Sequence, residues 1–401
     1  DARAGRGGVV LVAGEAGIGK TTFVREFLAH AIGIERTLIG WCDPLRTPRP
    51  LGPLIDAARS VAPDLARRVA AGLPRAEAFA VALDLIDDAD GPAVFVLEDL
   101  HWADEATLDL FTFVARRLDD RPALLVATFR SDEVDDAHPL RLRLGDIRAH
   151  VVERIELQPL SADAVAAIAD DLGVTDADIP AIHRRTGGNP FYVTEVLASA
   201  EDGDERVPAT VREAVLARAD RLDARTRAVL DAASIVPGRC ERWLLDELTD
   251  GDGDDVADGL DTCCHLGLLR TAANGDIEFR HELGRLAIEG TVPARDRRRL
   301  HITALTALRS VATPVGFSRL AHHAAGADDG GAVLELAPVA ATEAAAAGAY
   351  REVVALLELA LRYQHLCSPD ELGELWFQLA DARSVVGDFA AAEAAATSAA
   401  D

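Results

Sequence analysis

Eight consecutive residues near the amino end have the types and spacing of a loop that surrounds the phosphates of a nucleotide. They match the pattern Gly-x-x-x-x-Gly-Lys-Thr at every fixed position and are Gly14, Glu15, Ala16, Gly17, Ile18, Gly19, Lys20 and Thr21. Glycines allow backbone N–H groups to converge on an anion. Lys20 would bridge the β- and γ-phosphates, and the Thr21 hydroxyl would bind Mg²⁺. The segment therefore predicts ATP or ADP as a ligand, together with Mg²⁺.

Lys20 is also the only lysine in a chain of 401 residues that contains 40 arginines. The ammonium group of lysine is a compact point charge, whereas the guanidinium group of arginine is a planar fork. A phosphate loop favours the point charge, which gives a reason for lysine at this one position. A chance glycine-rich turn is the alternative, but a buried strand before the loop and a helix after it favour a nucleotide site.

Two acidic residues, Glu98 and Asp99, directly follow the apolar run 94–97. Acids at the end of a strand beside a phosphate loop can hold Mg²⁺ through water and can polarise an attacking water molecule. Either residue can take either role, and a pair of solvated acids at a strand end is the alternative. The candidate metal ligands are thus Thr21, Glu98 and Asp99, and both acids are candidate catalytic residues.

Arg130 follows a further apolar run, residues 123–128. The carboxyl ends of parallel strands face the ligand crevice in sheets of this kind. Arg130 is therefore a candidate sensor of the γ-phosphate and the third candidate catalytic residue. The alternative is an ordinary surface arginine just beyond a strand.

The elements that must position these residues alternate between strand and helix. Short apolar runs predict strands near 8–13, 37–41, 94–97, 123–128 and 151–157, and helical spacing predicts helices near 20–31, 52–61, 76–88 and 105–118. Strands and helices that alternate in this way form a parallel sheet covered on both faces. The fold class predicted for this part is an α/β P-loop NTPase.

After Pro159 the periodicity becomes almost wholly helical. We predict helices near 161–171, 178–185, 190–200, 208–220, 223–235 and 255–266. The segments 268–270 and 277–279 flank an Asn-Gly turn and predict a small hairpin. Strands that follow helices suggest a winged-helix-like unit.

The last part is rich in alanine, and Gly348 and Gly387 each precede an aromatic residue by two positions. This 39-residue spacing suggests stacked helical hairpins similar to tetratricopeptide repeats, and an ordinary helical domain is the alternative. We therefore expect four units: the NTPase core at 1–158, a helical lid at 159–235, a winged-helix-like domain at 236–312 and partial helical repeats at 313–401.

Composition restricts the partners of the chain. The 67 acidic and 41 basic residues give a net charge of −26, which argues against direct binding of nucleic acid or of an anionic membrane. No run of 18 uncharged apolar residues is present. The five cysteines show no metal-binding spacing and suggest free thiols in a cytoplasmic protein. Because the sequence has no methionine, we expect it to be a fragment of a longer protein.

Three further features are predicted to have no function of their own. Asp250, Asp252 and Asp254 resemble the start of a calcium loop, but Asp255 stands where such a loop needs glycine. The basic run 295–299 is expected to be a solvated helix face. The pair His322-His323 lacks the partners of a metal site.

Four segments together carry a resemblance to a known class. They are Gly14–Thr22 (GEAGIGKTT), Leu97–Asp104 (LEDLHWAD), Ala127–Arg130 (ATFR) and Thr186–Phe191 (TGGNPF), with a looser fifth match at Phe279–Leu283 (FRHEL). Over about residues 8–300 the chain resembles the ATPase region of STAND-class regulators. Within that class it is similar to large LuxR-type transcriptional regulators with an AAA-like ATPase module. The same module also occurs ahead of nucleotide cyclase and kinase domains.

The resemblance implies a slow ATPase switch that is closed with ADP and open and self-associating with ATP. It adds Thr22 to the phosphate loop, places Asn189 and Pro190 at the start of a helix near the adenine, and gives His281 a contact with bound ADP. An effector or protein partner would bind the helical tail. The output would be transcription, with a cyclase or kinase as the alternative. A repeat scaffold with a nucleotide that is never hydrolysed is the third alternative.

Overall fold

The computed structural model describes residues 6–45, 47–89, 91–147, 152–174, 178–201, 211–249, 253–272, 275–280, 282–311 and 315–400. Its first part alternates strands and helices as the apolar runs predicted. The elements are β1 (Gly8–Gly14), α1 (Lys20–His30), β2 (Arg36–Trp41), α2 (Gly52–Val61), α3 (Pro63–Ala70), α4 (Arg75–Asp87), β3 (Ala93–Glu98), α5 (Glu105–Ala115), β4 (Ala123–Arg130), α6 (Pro139–Gly145) and β5 (Val152–Glu156).

The five strands form one parallel sheet in the order β2-β3-β4-β1-β5. Every residue of β3 is buried, because helices cover both faces of the sheet. Val94 and Val96 join a small valine cluster with Val24 of α1, whereas Phe95 and Leu97 face the main core. The pleat of the strand therefore explains why its apolar run is continuous.

The register of the sheet decides which residues meet at its carboxyl edge. Gly14, at the end of β1, pairs with Arg130, at the end of β4. Leu97, next to Glu98, pairs with Ala127 on the other side of β4. The ends of β1, β4 and β3 are thus neighbours, and the phosphate loop, Arg130 and the acidic pair share one edge.

The rest of the chain is predominantly helical, with one small sheet. Its elements are α7 (Ala162–Asp171), α8 (Ile179–Thr186), α9 (Pro190–Glu201), α10 (Val211–Ala219), α11 (Ala224–Ser234), β6 (Arg239–Cys240), α12 (Arg242–Leu248), α13 (Gly253–His265), β7 (Leu269–Thr271), β8 (Ile277–Phe279), α14 (Glu282–Glu289), α15 (Ala294–Ser310), α16 (Phe317–Gly326), α17 (Gly330–Ala347), α18 (Tyr350–Leu361), α19 (Pro369–Val385) and α20 (Phe389–Ala400). The fold class predicted from the sequence, a parallel-sheet P-loop core followed by a helix-rich region, is confirmed.

The predicted hairpin is present and is larger than expected. Strands β7 and β8 pair antiparallel, and the two-residue strand β6 joins them to give the order β6-β8-β7. In the tail, each helix from α16 to α20 packs on the next. The tail also returns to the NTPase core, where α18 contacts α5. Within the described ranges, no helix is both long enough and apolar enough to cross a membrane.

Within the NTPase part, two helices that the sequence pattern did not reveal are α3 and α6. Helix α3 begins at Pro63, directly after the end of α2. Proline is favourable at the first helical position, and it forces the preceding Ala62 out of the helical region, so a single helical pattern is divided into two helices. Helix α6 has seven residues and one buried side chain, Leu140. A helix this short has too few turns to show a periodicity.

Candidate nucleotide-binding site

The phosphate loop joins β1 to α1 and is shaped by glycines in the left-handed region of backbone conformation. Gly17 has φ +77° and Gly19 has φ +99°. Gly19 precedes the first residue of α1, and no side chain of the described residues caps that helix. The N–H groups of the first turn therefore point towards the loop without a side-chain acceptor, and the positive end of the helix favours an anion there.

Lys20 is the first residue of α1, and its ammonium group lies against the loop. Its Nζ donates to the carbonyl oxygens of Gly14 and Glu15, at 2.9 Å each. The side chain is only 7% exposed, and burial lowers its pKa, while the charge of Asp99 opposes that shift. A buried ammonium group needs anionic or dipolar partners. The oxygens of a phosphate group are of the type that this position requires.

Glu98 ends β3 and lies 3% exposed beneath the loop. One of its carboxylate oxygens, Oε2, accepts hydrogen bonds from Thr128 Oγ1 at 2.7 Å and from Thr21 Oγ1 at 3.3 Å. Burial raises the pKa of Glu98 to about 7, and the hydrogen bond from Thr128 is the largest influence that opposes this rise. The carboxyl group is thus held in place by hydroxyl groups from two elements, α1 and β4.

Asp99 follows in the left-handed conformation, with φ 56°. Its backbone N–H donates to the same Thr128 Oγ1 at 2.8 Å, so one hydroxyl group orients both acidic residues. Burial raises the pKa of the Asp99 carboxyl group, and the charges of Arg130 and Lys20 oppose this shift. The carboxylate of Asp99 therefore interacts electrostatically with Arg130 and Lys20, whereas the carboxylate of Glu98 accepts hydrogen bonds from hydroxyl groups.

Arg130, at the end of β4, is almost fully buried in the same region. It forms an ion pair with Glu133, and its guanidinium carbon lies 4.8 Å from the centroid of the Trp102 ring. The charge of Arg130 lowers the pKa of Lys20 and opposes the rise in the pKa of Asp99. The sheet thus brings Lys20, Asp99 and Arg130 close enough to influence one another.

The start of α9 is hydrogen-bonded to the phosphate loop. The side-chain amide of Asn189 donates to the carbonyl oxygen of Ala16 at 2.9 Å, and the N–H of Phe191 donates to that of Gly17 at 3.3 Å. A Cβ atom at position 17 would lie 2.8 Å from Cβ of Phe191, so only glycine allows this approach. Pro190 is the first residue of α9 and follows Asn189 directly.

The hydroxyl and carboxylate oxygens of the site suit a hard divalent cation. Thr21 Oγ1 and Glu98 Oε2 are 3.3 Å apart, and both are oxygen donors of the kind that Mg²⁺ prefers. The adjacent Asp99 supplies a second carboxylate. The residues present at this edge therefore fit Mg²⁺, which a nucleotide would bring with its phosphates.

Several residues near the site were not singled out from the sequence. Thr128 lies within the apolar strand β4, and a single polar residue in a buried strand gives no sign of a function in the sequence. His101 is buried behind the acids, 3.7 Å from Glu133 Oε2, and burial lowers its pKa to about 2. Asp104 accepts a hydrogen bond from Thr107 N and caps α5, so the last residue of the LEDLHWAD segment has a structural role. The predicted contact residue His281 lies outside the described residues, as do Asp250 and Asp252.

Comparisons with known proteins concern the family that the first part of the chain matches and the fold of the whole chain. Residues 1–127 match the family described as AAA ATPase domain. An uncharacterized protein of Rhizobium meliloti (strain 1021) is 29% identical over 298 residues, which cover 68% of this chain and 28% of that protein. The chain thus spans just over a quarter of the length of this curated relative.

Solved structures give the fold. The crystal structure of a Signal Transduction ATPase with Numerous Domains (STAND) protein with a tetratricopeptide repeat sensor, from Pyrococcus horikoshii, matches with a TM-score of 0.59. The match has 14% identity and covers 98% of this chain and 61% of that one. A Walker-type ATPase of Pyrococcus abyssi matches with a TM-score of 0.37 and 14% identity, over 70% of this chain and 90% of that one. The match of residues 1–127 to AAA ATPase domains, together with this fold, implies nucleotide binding.

Proposed function

We propose that the chain is a switch that binds ATP and ADP with Mg²⁺, hydrolyses ATP slowly, and passes its nucleotide state to an output that controls transcription. The observation that carries the proposal is that Lys20, Thr21 and Glu98 lie together at one edge of the sheet. In addition, the side chain of Asn189, at the start of the proposed lid helix α9, is hydrogen-bonded to the phosphate loop. A site that is joined to a second unit can transmit the identity of its ligand.

Each residue has a role in this proposal. Lys20 binds the β- and γ-phosphates, and the loop from Gly14 to Thr22 surrounds them with N–H groups. Thr21 and Glu98 are the residues that would hold Mg²⁺, since their oxygens already share a hydrogen bond. Asp99 polarises the attacking water, and Arg130 responds to the charge of the γ-phosphate.

For the remaining units we propose the division predicted from the sequence, with boundaries at residues 158, 235 and 312. Asn189 and Pro190 place the lid beside the nucleotide, and His281 contacts the β-phosphate of ADP from the winged-helix-like unit. The tail receives the effector or protein partner. This role is supported by apolar side chains on α19 and α20, where Phe377 is 64% and Phe389 is 71% exposed. The open ATP form self-associates.

Binding of fluorescent ATP and ADP to the full chain tests the first step. We expect Lys20→Ala to weaken both affinities by at least about 10-fold, because a charge-assisted phosphate contact is lost. The control is Arg351→Ala, which removes an exposed cation from α18. Equal affinities in the Lys20 variant and the control would refute the nucleotide site.

Chemical labelling gives a second measurement that needs no substitution. An amine-reactive reagent can modify only the chain terminus and Lys20, because the chain has no other lysine. Saturating ATP should protect Lys20 and leave the terminus reactive. Equal labelling of Lys20 with and without nucleotide would contradict the proposal.

Hydrolysis separates the switch from a scaffold that holds its nucleotide permanently. A switch should release phosphate in single-turnover experiments, at a rate that Asp99→Asn lowers. A protein that binds ATP and ADP with unchanged affinity but releases no phosphate would be the scaffold. A cyclase or kinase output, in place of transcription, would be distinguished by the activity that ATP controls in the longer protein.

A further inference from the structure

Three histidines from two helices meet at the joint between the winged-helix-like unit and the tail. His301 belongs to α15, and His322 and His323 belong to α16. Nδ1 of His301 lies 3.0 Å from Nδ1 of His323. One nitrogen of each of the three rings lies within 4.8 Å of the other two. The expectation that the pair His322-His323 lacks the partners of a metal site is wrong, because His301, 21 residues earlier, supplies a third imidazole.

The rings are buried with nitrogens that the surrounding structure does not satisfy. His301 and His323 are almost wholly buried, and His322 is half-buried. Nε2 of His322 and Nε2 of His323 have no hydrogen-bond partner among the described residues. Histidines that only fill a core are normally hydrogen-bonded, because an unpaired buried nitrogen is unfavourable. Nε2 of His322 is such a nitrogen beside the close Nδ1 pair of His301 and His323, which indicates that the cluster serves a ligand.

The close pair of nitrogens fits the spacing of two ligands on one ion. With Zn–N bonds of about 2.0–2.1 Å, tetrahedral geometry places two ligand nitrogens about 3.3 Å apart. The 3.0 Å between the Nδ1 atoms of His301 and His323 is near this value.

Gly326, at the end of α16, makes room for His301. A Cβ atom at this position would lie 2.5 Å from three atoms of the His301 ring. Such a distance is too short for any contact, so alanine at position 326 would displace the ring. The glycine therefore fixes where the ring of His301 can lie.

The donors and the surrounding charges select the class of ion. Three imidazoles suit Zn²⁺ or a related transition metal, whereas Mg²⁺ and Ca²⁺ prefer oxygen ligands. The negative charge of Glu289 acts on His322 and would favour a cation there. Arg285 and Arg319 oppose a cation, but both are already paired, with Glu289 at 2.7 Å and with Glu241 at 2.6 Å. The half-buried edge of His322 gives a route from solvent.

We propose that His301, His322 and His323 form a zinc site that joins α15 to α16. The ion would connect the last helix of the winged-helix-like unit to the first helix of the tail. It would therefore set the angle at which the tail leaves the rest of the chain. This site is separate from the nucleotide site and does not depend on the function proposed for it.

The experiment is titration of the chelator-treated full chain with Zn²⁺ in competition with a chromophoric chelator, without nucleotide. We expect one equivalent of Zn²⁺ to bind, and His322→Ala to weaken that binding by about 100-fold or more, because one of three ligands is lost. His365→Ala removes an exposed histidine of the tail and is the matched control, which should bind as the wild type does. Co²⁺ in place of Zn²⁺ should give the visible absorption of a tetrahedral site.

Gly326→Ala keeps all three ligands and tests the geometry. Alanine is a better helix former than glycine, so this variant should fold, yet displacement of His301 should weaken zinc binding by about 10-fold or more. Circular dichroism confirms folding of each variant. Wild-type chain that binds no Zn²⁺ at micromolar concentration would overturn the proposal. So would equal zinc affinity in His322→Ala and His365→Ala, since the ion would then lie elsewhere.

Discussion

The side-chain amide of Asn189 donates a hydrogen bond to the carbonyl oxygen of Ala16 at 2.9 Å, across a sequence separation of 173 residues. The acceptor lies in the middle of the phosphate loop, and the donor lies directly before α9. Phe191 N adds a second bond, to Gly17 O. The loop and the start of α9 thus share hydrogen bonds, and a change in the loop on nucleotide binding would reach α9 directly.

We predict that Asn189→Ala weakens nucleotide binding by about 3- to 10-fold, which is the value of one hydrogen bond in a partly buried site. The loss should be similar for ATP and ADP, because Ala16 lies in the loop and not beside the γ-phosphate alone. Binding of fluorescent nucleotides measures it. Gln364→Ala, which removes an exposed amide from the tail, is the control, and equal affinities in the two variants would contradict the role of Asn189.

Gly17→Ala should disturb the packing of α9 on the phosphate loop through a steric clash. Gly17 and Gly173 have nearly equal positive φ angles, 77° and 76°. Alanine at either position bears the same conformational penalty, about 1–2 kcal/mol. At position 17 the new methyl group would also meet Phe191, whereas at position 173 it meets nothing within 4 Å. We expect Gly17→Ala to lower nucleotide affinity by at least about 10-fold, as overpacking of this size implies, and Gly173→Ala to leave it unchanged.

Thermal unfolding separates the two effects of these glycine variants. Both variants should have a lower free energy of unfolding, because alanine is unfavourable in the left-handed conformation. Only Gly17→Ala should also bind nucleotide more weakly. Equal nucleotide affinity in both variants would show that the approach of α9 to the loop has no part in binding.

The two acids should differ in their response to amide substitution. Asp99→Asn keeps a residue that tolerates the left-handed conformation, so the turn should survive. We expect this variant to bind ATP normally and to hydrolyse it about 100-fold more slowly, as loss of a base implies. Glu98→Gln should instead raise the Mg²⁺ concentration needed for binding by about 10-fold, because its oxygen bonds Thr21. If both variants hydrolyse ATP at the wild-type rate, neither acid has the proposed role.

Much of the core could be predicted because the relevant signals are local. The strands β3 and β4 are continuous apolar runs, since both faces of a parallel sheet are covered. The phosphate loop is contiguous in sequence, and its chemistry is determined by spacing along one segment. Parallel strands also bring their carboxyl ends to one edge, so the proximity of Glu98 and Arg130 followed from topology alone.

The remaining features depend on contacts between distant residues. No local pattern shows that Thr128 would orient both acids or that His301 would meet His322 and His323. Each of these contacts joins residues on separate elements, and a single sequence does not reveal which helix faces pack together. The short elements α6 and β6 were missed for a different reason, since two to seven residues are too few to display a period.

The return of the tail to the core creates a buried acidic junction. Glu352 of α18 lies nearly buried where α18 meets α5, and its Oε2 has no hydrogen-bond partner among the described residues. Asp104 and Glu105 face it with further carboxyl groups. Burial raises the pKa of Glu352 from 4.5 to about 7, and the charge of Asp104 adds to this rise. The docked tail thus favours the protonated form of Glu352.

Docking of the tail should therefore weaken as the pH rises from 4.5 to about 7, because the docked form binds the proton more tightly than the released form. The free-energy cost of deprotonating Glu352 in the docked form is absent below pH 4.5 and complete above pH 7. The difference between the two pKa values corresponds to a cost of about 3 kcal/mol. Hydrogen exchange of α18 at pH 5.5 and pH 8 measures the effect. Glu352→Gln, which cannot ionise, should protect α18 equally at both values, whereas the exposed Glu393→Gln should keep the wild-type response. Unchanged pH dependence in Glu352→Gln would assign the effect to other carboxyl groups, such as Asp104.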